Sequence, residues 1–479
     1  MRNRMIIALL TVAISAMAQT ARKFTVNITA DGKANMAVYL PEKPSGRAIV
    51  DCPGGGYSHL SMQNEGHDWA AWMNERGIAY CVLTYRMPKG NREIPMSDAR
   101  QAMRTVRDSA TAWSINPRDV GIMGFSAGGH LASTVATHSE WDERPDFTIL
   151  FYPVISMNER ETHSGSVNGF LGKDKGNKNL VREFSNQNAV RRHLTPPAII
   201  LLANDDRGVP PVTNGIAYYS AMRNAGNDCE LHVYNTGGHG FGMKTDFAYH
   251  DRMLGDLSDW LRRLPQVNTK AVRVACIGNS ITDGHGIDMA PRRGYPAQLQ
   301  RLMGSGFEVR NFGVSSRTMM QKGDYPYMKE QAWRDALAFK PDVAIIKLGT
   351  NDSKPNNWKH KADFEHDLQT MIDSLRPMVP KLDKKGRRTR KMVRADKPEI
   401  FLCTPVKAVK ASWEISDSVI TTEIIPIIRR VADKNGLNVI DLHTLFNADE
   451  ENMQRDGIHP TDKGARIMAE IISKALKKE

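Results

Sequence analysis

The chain is poor in cysteine and lacks the patterns that bind metals or phosphates. Its 479 residues include five widely spaced cysteines, none of them in a C-x-x-C pair. This spacing disfavours a zinc site and a disulfide framework, so we expect Cys52, Cys81, Cys276 and Cys403, which lie in apolar runs, to be small core residues. The sequence also has no Walker A loop and no dinucleotide-binding fingerprint. No metal and no cofactor is therefore implied.

Beyond its N-terminus the chain has no apolar run long enough to cross a membrane. The N-terminus itself resembles a secretory signal peptide, with Arg2 and Arg4, an apolar run over residues 5–16, and a small-x-small site ending at Ala18. We expect cleavage after Ala18, which makes residues 1–18 the signal peptide. Because no cysteine follows that site, we expect no lipid or other membrane anchor on a periplasmic or secreted mature protein.

Acidic residues are fewer than basic ones, with 53 against 65, for a net charge of +12. The excess is concentrated in residues 381–397, which hold nine basic and two acidic side chains. One basic segment without an aromatic platform or binding motif does not indicate nucleic-acid binding. We interpret it as a solvated insertion, and attraction to an acidic glycan or anionic surface is the alternative.

The length and the hydrophobic pattern predict two α/β domains. Apolar runs alternate with helical periodicity up to Pro265, and the alternation begins again near residue 272, which favours parallel sheets covered by helices. We place the domains at residues 21–265 and 270–479, joined by a linker so short that they touch. The predicted strands are 48–52, 79–83, 120–125, 147–155 and 198–203, then 272–277, 307–312, 343–348, 400–404 and 439–442; the helices include 98–113 and 463–477.

A serine follows directly after one predicted strand of the first domain. In residues 124–128 (GFSAG) the small residues let the chain turn sharply, which exposes the Ser126 hydroxyl at the carboxyl end of the sheet. A glycine run follows an earlier strand, so the N–H groups of Gly55 and Gly56 can point at a developing oxyanion. The N–H of Ala127 would be a further donor. This pattern is typical of a serine nucleophile.

An acidic pair and a histidine complete the pattern in the order Ser, Asp, His. The motifs at residues 52–57, 124–130 and 237–242 resemble the α/β-hydrolase superfamily, more closely its acetylxylan-esterase and xylanase-associated esterase branch, over about residues 30–264. The resemblance implies Ser126 as nucleophile, His239 as general base and Asp205 as the orienting acid. Asp206 is the alternative, because spacing alone cannot separate adjacent carboxylates.

The second domain has a different serine motif. Ser280 follows the strand 272–277, and Asp456 lies three residues before His459, so one loop can bring the carboxylate to the imidazole that deprotonates the serine. The N–H groups of Ser280 and Gly313, with the Asn351 side-chain amide, would form the oxyanion hole. Asp283 and Asp352 are interpreted as turn and hydrogen-bond residues.

Four blocks of this domain, in order, resemble the GDSL or SGNH hydrolases over about residues 272–477. They are residues 275–284, 311–313, 349–352 and 456–460. Asn279 stands where many members have Asp, a variation that the wider family tolerates. The resemblance implies a flavodoxin-like sheet and a second serine esterase site.

Together these observations predict a bifunctional serine esterase with no cofactor. The resemblances imply O-acetyl esters on a plant polysaccharide such as xylan as the substrate. The alternatives are that one domain is a general lipase, an arylesterase or a peptidase-like hydrolase, or that one is a non-catalytic glycan-binding module. Trp333, Trp358 and Trp413 are candidates for a sugar platform, although core or ordinary surface positions are the simpler interpretation.

Overall fold

The computed structural model describes residues 22–382 and 388–477, so the predicted signal peptide lies outside it. The first half forms an eight-stranded sheet in the order β1-β2-β4-β3-β5-β6-β7-β8. Strands β3 to β8 run parallel, whereas β2 pairs antiparallel with β1 and β4. The strands are Arg22–Asn27, Asn35–Leu40, Ala48–Cys52, Ala79–Thr84, Val120–Phe125, Thr148–Phe151, Ala198–Ala203 and Cys229–Tyr234.

Helices cover both faces of this sheet. They are α1 Ala70–Glu75, α2 Glu93–Asp108, α3 Ala110–Trp113, α4 Ser126–His138, α5 Ser164–Leu171, α6 Lys178–Phe184, α7 Gly215–Ala225 and α8 His250–Arg263. Because β3, β5, β6 and β7 are buried along their whole length, they read as continuous apolar runs in the sequence.

The second half forms a five-stranded parallel sheet in the order β10-β9-β11-β14-β15. Numbered from its own first strand, this order is 2-1-3-4-5, that of the flavodoxin-like doubly wound sheets. Its strands are β9 Val272–Gly278, β10 Phe307–Gly313, β11 Val343–Lys347, β14 Glu399–Cys403 and β15 Asn438–Ile440. In such a sheet ligands bind beyond the carboxyl ends of the strands, at the point where the order reverses.

The helices of this half again flank the sheet. They are α9 Ser280–Asp283, α10 Ala290–Arg293, α11 Tyr295–Met303, α12 Gln331–Ala338, α13 Pro355–Trp358, α14 Phe364–Leu375, α15 Asp417–Val419, α16 Ile425–Asn435, α17 Leu442–Leu445 and α18 Asp462–Lys477. In α18 the buried side chains recur at helical spacing, and they pack with α11 against one face of the sheet.

Some elements differ from the sequence prediction. The helix predicted at 98–113 begins at Glu93 and breaks at Ser109, and the strand predicted at 147–155 is limited to Thr148–Phe151. The prediction also missed β1, β2 and β8, none of which is buried along its whole length. The basic segment contributes to an exposed antiparallel pair, β12 Met378–Leu382 and β13 Arg388–Arg394, while residues 383–387 lie outside the described residues.

The two halves touch through buried polar and aromatic contacts. Arg144 Nη1 lies 2.8 Å from Asp335 Oδ2, and both side chains are nearly inaccessible to solvent. Trp141 packs against Phe312 and Phe339, with ring centroids 5.9 and 5.4 Å apart. Side chains of both halves are thus buried against each other at this interface, and removal of only one partner of such a buried ion pair is strongly destabilising.

Two further features concern the whole described chain. The five cysteines are free, and the four predicted as core residues are buried. Among the described residues, no helix combines the length and the apolar character that a membrane span needs.

Candidate active sites

Ser126 lies at a sharp turn between β5 and α4. Its φ of +52° is in the left-handed region, which is disfavoured for a residue with a side chain and is found at functional turns. A Cβ on Gly128 would lie 1.9 Å from the Cys52 carbonyl oxygen, so only glycine lets α4 begin this close to the end of β3. The turn thus presents the hydroxyl at the carboxyl edge of the sheet.

A hydrogen-bonded relay connects this serine to a carboxylate. The Ser126 hydroxyl lies 2.8 Å from His239 Nε2, and His239 Nδ1 lies 2.7 Å from Asp206 Oδ2. The other oxygen of Asp206 accepts the N–H groups of Gly208 and Val209 at 2.8 and 2.9 Å. These bonds fix the carboxylate in the orientation that holds the imidazole toward the serine.

The prediction of Asp205 as the orienting acid is wrong, and its alternative Asp206 occupies that position. Asp205 is exposed and accepts the N–H of Gly238 at 2.7 Å. This hydrogen bond holds the pKa of Asp205 below its usual range. Asp205 therefore stabilises the loop that carries His239. The side chain of Asp206 is buried and contacts the His239 ring.

The glycine run lies across from the serine, in a cavity of about 480 Å³. The N–H of Gly54 donates to Glu65 Oε2 at 3.0 Å. The N–H groups of Gly55 and Gly56 have no acceptor in the described part of the chain. Ala127 is in the first turn of α4, where no intrahelical acceptor exists for its N–H. The three predicted donors are thus available to an oxyanion.

Three residues of this site carry no sequence motif and were missed. Glu65 is 4% exposed and accepts a hydrogen bond from the Tyr152 hydroxyl at 2.8 Å, and burial raises the pKa of its carboxyl group. The Tyr152 ring packs edge-on against His239, with centroids 4.9 Å apart. His163 lines the same cavity and caps α5 by accepting the Ser166 N–H on Nδ1 at 3.2 Å.

The second relay is built on a single loop and the first turn of α9. The Ser280 hydroxyl lies 2.7 Å from His459 Nε2, and His459 Nδ1 lies 2.9 Å from Asp456 Oδ2. Asp456 Oδ1 also accepts the N–H groups of Ile458 and His459 at 2.8 and 2.9 Å. The three-residue spacing therefore lets one carboxylate shape its own loop and orient the ring.

The environment favours the protonation states that a base and its partner need. Burial lowers the pKa of His459, which keeps the imidazole neutral and able to accept a proton. Burial alone would raise the pKa of Asp456, but the amides of His459 and Ile458 and the His459 ring outweigh it and lower that pKa.

One predicted oxyanion donor of this site is engaged elsewhere. The Gly313 N–H donates to Asn311 Oδ1 at 2.8 Å, which differs from the free donor that we expected. Only glycine fits at position 313, because a Cβ there would lie 2.3 Å from the Asp283 backbone nitrogen. The Asn351 side-chain amide donates one hydrogen bond to the Arg317 carbonyl oxygen at 3.0 Å. Its second N–H is therefore the side-chain donor that remains for an oxyanion.

Both acidic residues set aside as structural bind backbone or side-chain partners. Asp352 is fully buried and accepts the N–H groups of Met319 and Met320, each at 2.9 Å. Asp283 accepts a hydrogen bond from Ser315, and its second oxygen lies 3.1 Å from His193 Nε2.

His193 belongs to the first half, so it reaches across the interface to the second site. Its Nε2 also lies 2.8 Å from the Asp283 carbonyl oxygen and 3.2 Å from Asn311 Nδ2. These are the residues that fix Gly313 and the end of α9. No sequence motif marks this contact, because it joins distant parts of the chain.

A buried lysine lies beneath the second serine. Lys347 ends β11 and is fully buried, with Nζ 3.3 Å from Asn279 Oδ1 and 3.5 Å from Thr350 Oγ1. Asn279 Oδ1 also accepts the Ile281 N–H at 3.2 Å, which caps the turn that begins with Ser280. Burial lowers the pKa of Lys347 to about 7.

Both arrangements have the chemistry of nucleophilic acyl transfer. Each places a hydroxyl, an imidazole and a carboxylate in sequence within hydrogen-bond distance, beside N–H donors. Within residues 22–382 and 388–477, no group of three or more His, Cys, Asp or Glu side chains could hold a metal ion.

Comparison with known proteins identifies the relatives of each half. Residues 49–243 match the family model described as "alpha/beta hydrolase fold", and residues 276–467 match that of the GDSL-like Lipase/Acylhydrolase family. An acetylxylan esterase of Xylanibacter ruminicola is 58% identical over 479 residues, which cover 99% of this chain and 100% of the relative. The chain belongs to this acetylxylan esterase family. Both resemblances and the α/β fold class are thereby confirmed, and the chain is a carboxylic ester hydrolase.

Two further proteins of the comparison match about half of this chain. Endo-1,4-beta-xylanase B of Butyrivibrio fibrisolvens is 32% identical over 228 residues, covering 44% of this chain and 35% of the xylanase. The crystal structure of an acetyl ester-xyloside bifunctional hydrolase from Caldicellulosiruptor lactoaceticus is 31% identical, with a TM-score of 0.47. That match covers 52% of this esterase and 98% of the solved chain.

Proposed function

We propose that this esterase removes O-acetyl groups from a plant polysaccharide such as acetylated xylan at two separate serine sites. The first would use Ser126, His239 and Asp206, and the second Ser280, His459 and Asp456. The observation that carries the proposal is the pair of hydrogen-bonded relays, one in each half. The substrate class follows from the acetylxylan esterase that matches the full chain. With the predicted signal peptide, we place this activity in the periplasm or outside the cell.

The first chemical step is the same at both sites. The serine Oγ attacks the acetyl carbonyl carbon while the histidine Nε2 takes the hydroxyl proton, and the carboxylate stabilises the imidazolium that forms. Negative charge moves to the carbonyl oxygen, which the N–H donors described above would bind. Removing one such donor typically costs roughly 3 to 4 kcal/mol of transition-state stabilisation.

The second step regenerates the enzyme. Collapse of the tetrahedral intermediate breaks the bond to the sugar oxygen, which takes the proton from the imidazolium and leaves as the free hydroxyl. Water then attacks the acetyl-serine with the histidine as base, and acetate leaves. No external oxidant, metal or cofactor enters this balance.

The chief alternative is that one half only binds glycans. A module that had lost catalysis would be free to lose its relay, because only the binding surface would be needed. Serine, histidine and carboxylate lie in hydrogen-bonded order in both halves, which favours two catalytic sites.

The test is acetyl release from acetylated xylan, followed by NMR, by full-length wild type, Ser126→Ala, Ser280→Ala and the double variant. Ser220→Ala, an exposed serine on α7, is the matched control. We expect the double variant to lose more than about 10³-fold of the rate and the control to match wild type. If each single variant leaves a different set of acetyl groups, the two sites are complementary.

Other outcomes would revise the proposal. If one single variant equals the double variant and the other equals wild type, only one site acts on xylan. If the double variant keeps most of the activity, neither relay is the catalytic centre. If wild type releases no acetate from xylan but hydrolyses p-nitrophenyl acetate, the esterase chemistry stands and the substrate assignment is wrong.

A further inference from the structure

The structure separates the three tryptophans that the sequence leaves open as sugar platforms. Trp333 and Trp358 are 6% and 7% exposed, and both pack within the hydrophobic core of the second half. Trp413 is 55% exposed. A core explanation therefore accounts for the first two and leaves Trp413 without one.

The backbone holds Trp413 in an unfavourable conformation. Trp413 and the following Glu414 have φ values of +53° and +62°, in the left-handed region that side-chain-bearing residues rarely adopt. The segment is fixed to the loop of the second relay, because the Ser412 hydroxyl donates to the Asp456 carbonyl oxygen at 2.6 Å. The Val409 N–H donates a second hydrogen bond to this loop, to the Gly457 carbonyl oxygen at 2.9 Å. Non-glycine residues held in this way cluster at ligand-binding and active sites.

The exposed ring lies at the mouth of the second site. Its centroid is 5.5 Å from that of His459, the ring that contacts Ser280, and 6.4 Å from that of His285. His285 is itself exposed, and its centroid is 4.5 Å from that of His459. Trp413 and His285 thus flank the base on the solvent side, and we call these two residues the aromatic rim.

We propose that the aromatic rim is the sugar-binding subsite of the second site, where a pyranose ring of the acylated glycan stacks on Trp413 while its acetyl ester lies at Ser280. This inference rests on the proposed function and assigns a substrate-binding surface to it. The C–H groups of a pyranose form an apolar face that packs against an aromatic ring, and their burial removes exposed indole surface from water. A small aliphatic ester has no ring to pack there and gains little from the indole.

The experiment uses the full-length chain with Ser126→Ala, so that the second site alone is measured. Trp413→Ala and Trp413→Phe are compared on acetylated xylooligosaccharides and on ethyl acetate, an ester without a ring that could stack on the indole. We expect Trp413→Ala to lower kcat/KM on the oligosaccharide by about tenfold, mainly through KM, and to lower it far less on ethyl acetate. Trp413→Phe keeps an aromatic face and is expected to recover part of the loss.

Leu445→Ala is the control for loss of exposed apolar surface, because Leu445 is 61% exposed in α17. It is expected to match the parent on both substrates. Equal losses on both substrates with Trp413→Ala would mean that the residue only supports the Asp456 loop, and no loss on the oligosaccharide would mean that the ring binds no sugar. Either result overturns the proposal.

Failure of the proposed function is seen before the tryptophan is changed. If the Ser126→Ala parent hydrolyses ethyl acetate but releases no acetate from the oligosaccharide, the second site does not act on this glycan. The ligand assigned to the aromatic rim is then wrong as well.

Discussion

Replacing Lys347 with methionine is expected to change how the stability of the second half depends on pH. The side chain is fully buried, and among the described residues no carboxylate lies within ion-pair distance of its Nζ. Burial lowers the pKa from its ordinary value of 10.5 to about 7. At ~1.4 kcal/mol for each pKa unit, burial disfavours the ammonium form by about 5 kcal/mol relative to the neutral amine.

The sign of the effect follows from the protons bound in each state. Between about pH 7 and 10.5 the folded lysine is neutral and the unfolded one is charged, so the unfolded state binds more protons and stability rises with pH. Below pH 7 both states are charged, and the full cost of the buried ammonium is present. Methionine has a similar volume and no charge, so it removes this cost at low pH.

Lys347→Met is therefore expected to stabilise the protein by about 4 kcal/mol near pH 6, after allowing about 1 kcal/mol for the lost hydrogen bond to Asn279. The gain should shrink steadily as the pH rises. Urea unfolding of the full-length chain at several pH values measures it, with Lys474→Met, an exposed lysine of α18, as the matched control. Equal pH dependence in the two variants would refute the argument.

A negative charge introduced at Asn279 tests the buried Lys347 ammonium in a second way. Asn279→Asp puts a carboxylate where the amide oxygen lies 3.3 Å from the ammonium, so the pair is expected to keep Lys347 charged to higher pH. In the Lys347→Met background the same carboxylate is buried without a charged partner, which costs roughly 3 to 5 kcal/mol. Additive effects of the two substitutions would mean that the side chains do not interact.

Three further predictions concern the relays and the interface. Asp206→Asn should lower kcat of the first site by about 10⁴-fold, because an amide no longer fixes the His239 tautomer or stabilises the imidazolium. Asp205→Asn should cost less than about tenfold, and the reverse order would restore the original assignment. His193→Ala should lower kcat of the second site by about tenfold, because the segment at Asp283 that His193 contacts would be displaced. Arg118→Ala, which removes another ion pair of the interface, should leave that kcat unchanged. Equal losses in the two variants would mean that separation of the halves, and not the contact at Asp283, lowers the rate. Since burial lowers the pKa of His459 below 6.5, second-site kcat/KM should fall only below that pH, and a midpoint at or above it in a pH–rate profile would contradict this.

The sequence predicted most of the parallel strands and both serines because continuous apolar runs and small-residue turns are local features. The predicted strands 48–52, 120–125 and 198–203 agree with the structure at both ends. Ser126 and Ser280 each begin a helix at the end of such a strand. In an α/β sheet the carboxyl ends of neighbouring strands meet at one edge, so each nucleophile could be placed without coordinates.

What the sequence could not predict depends on how side chains turn and what lies across the fold. Asp205 and Asp206 are adjacent, and only the backbone amides of Gly208 and Val209 determine which carboxylate faces the histidine. The contacts of Glu65 and His193 join segments far apart in the chain. No local pattern records such contacts.

The ion pair between Arg144 and Asp335 bears on any attempt to divide this esterase into single-site fragments. Cutting between Arg263 and Val272 would leave Asp335 as an uncompensated carboxylate in one fragment and uncover the rings that Trp141 now covers. The uncovered rings form an apolar patch that favours self-association in water, whereas the freed Asp335 carboxylate becomes hydrated. A fragment of the second half is therefore expected to aggregate unless Phe312 and Phe339 are replaced by polar side chains, and low activity in it would report lost solubility rather than lost chemistry.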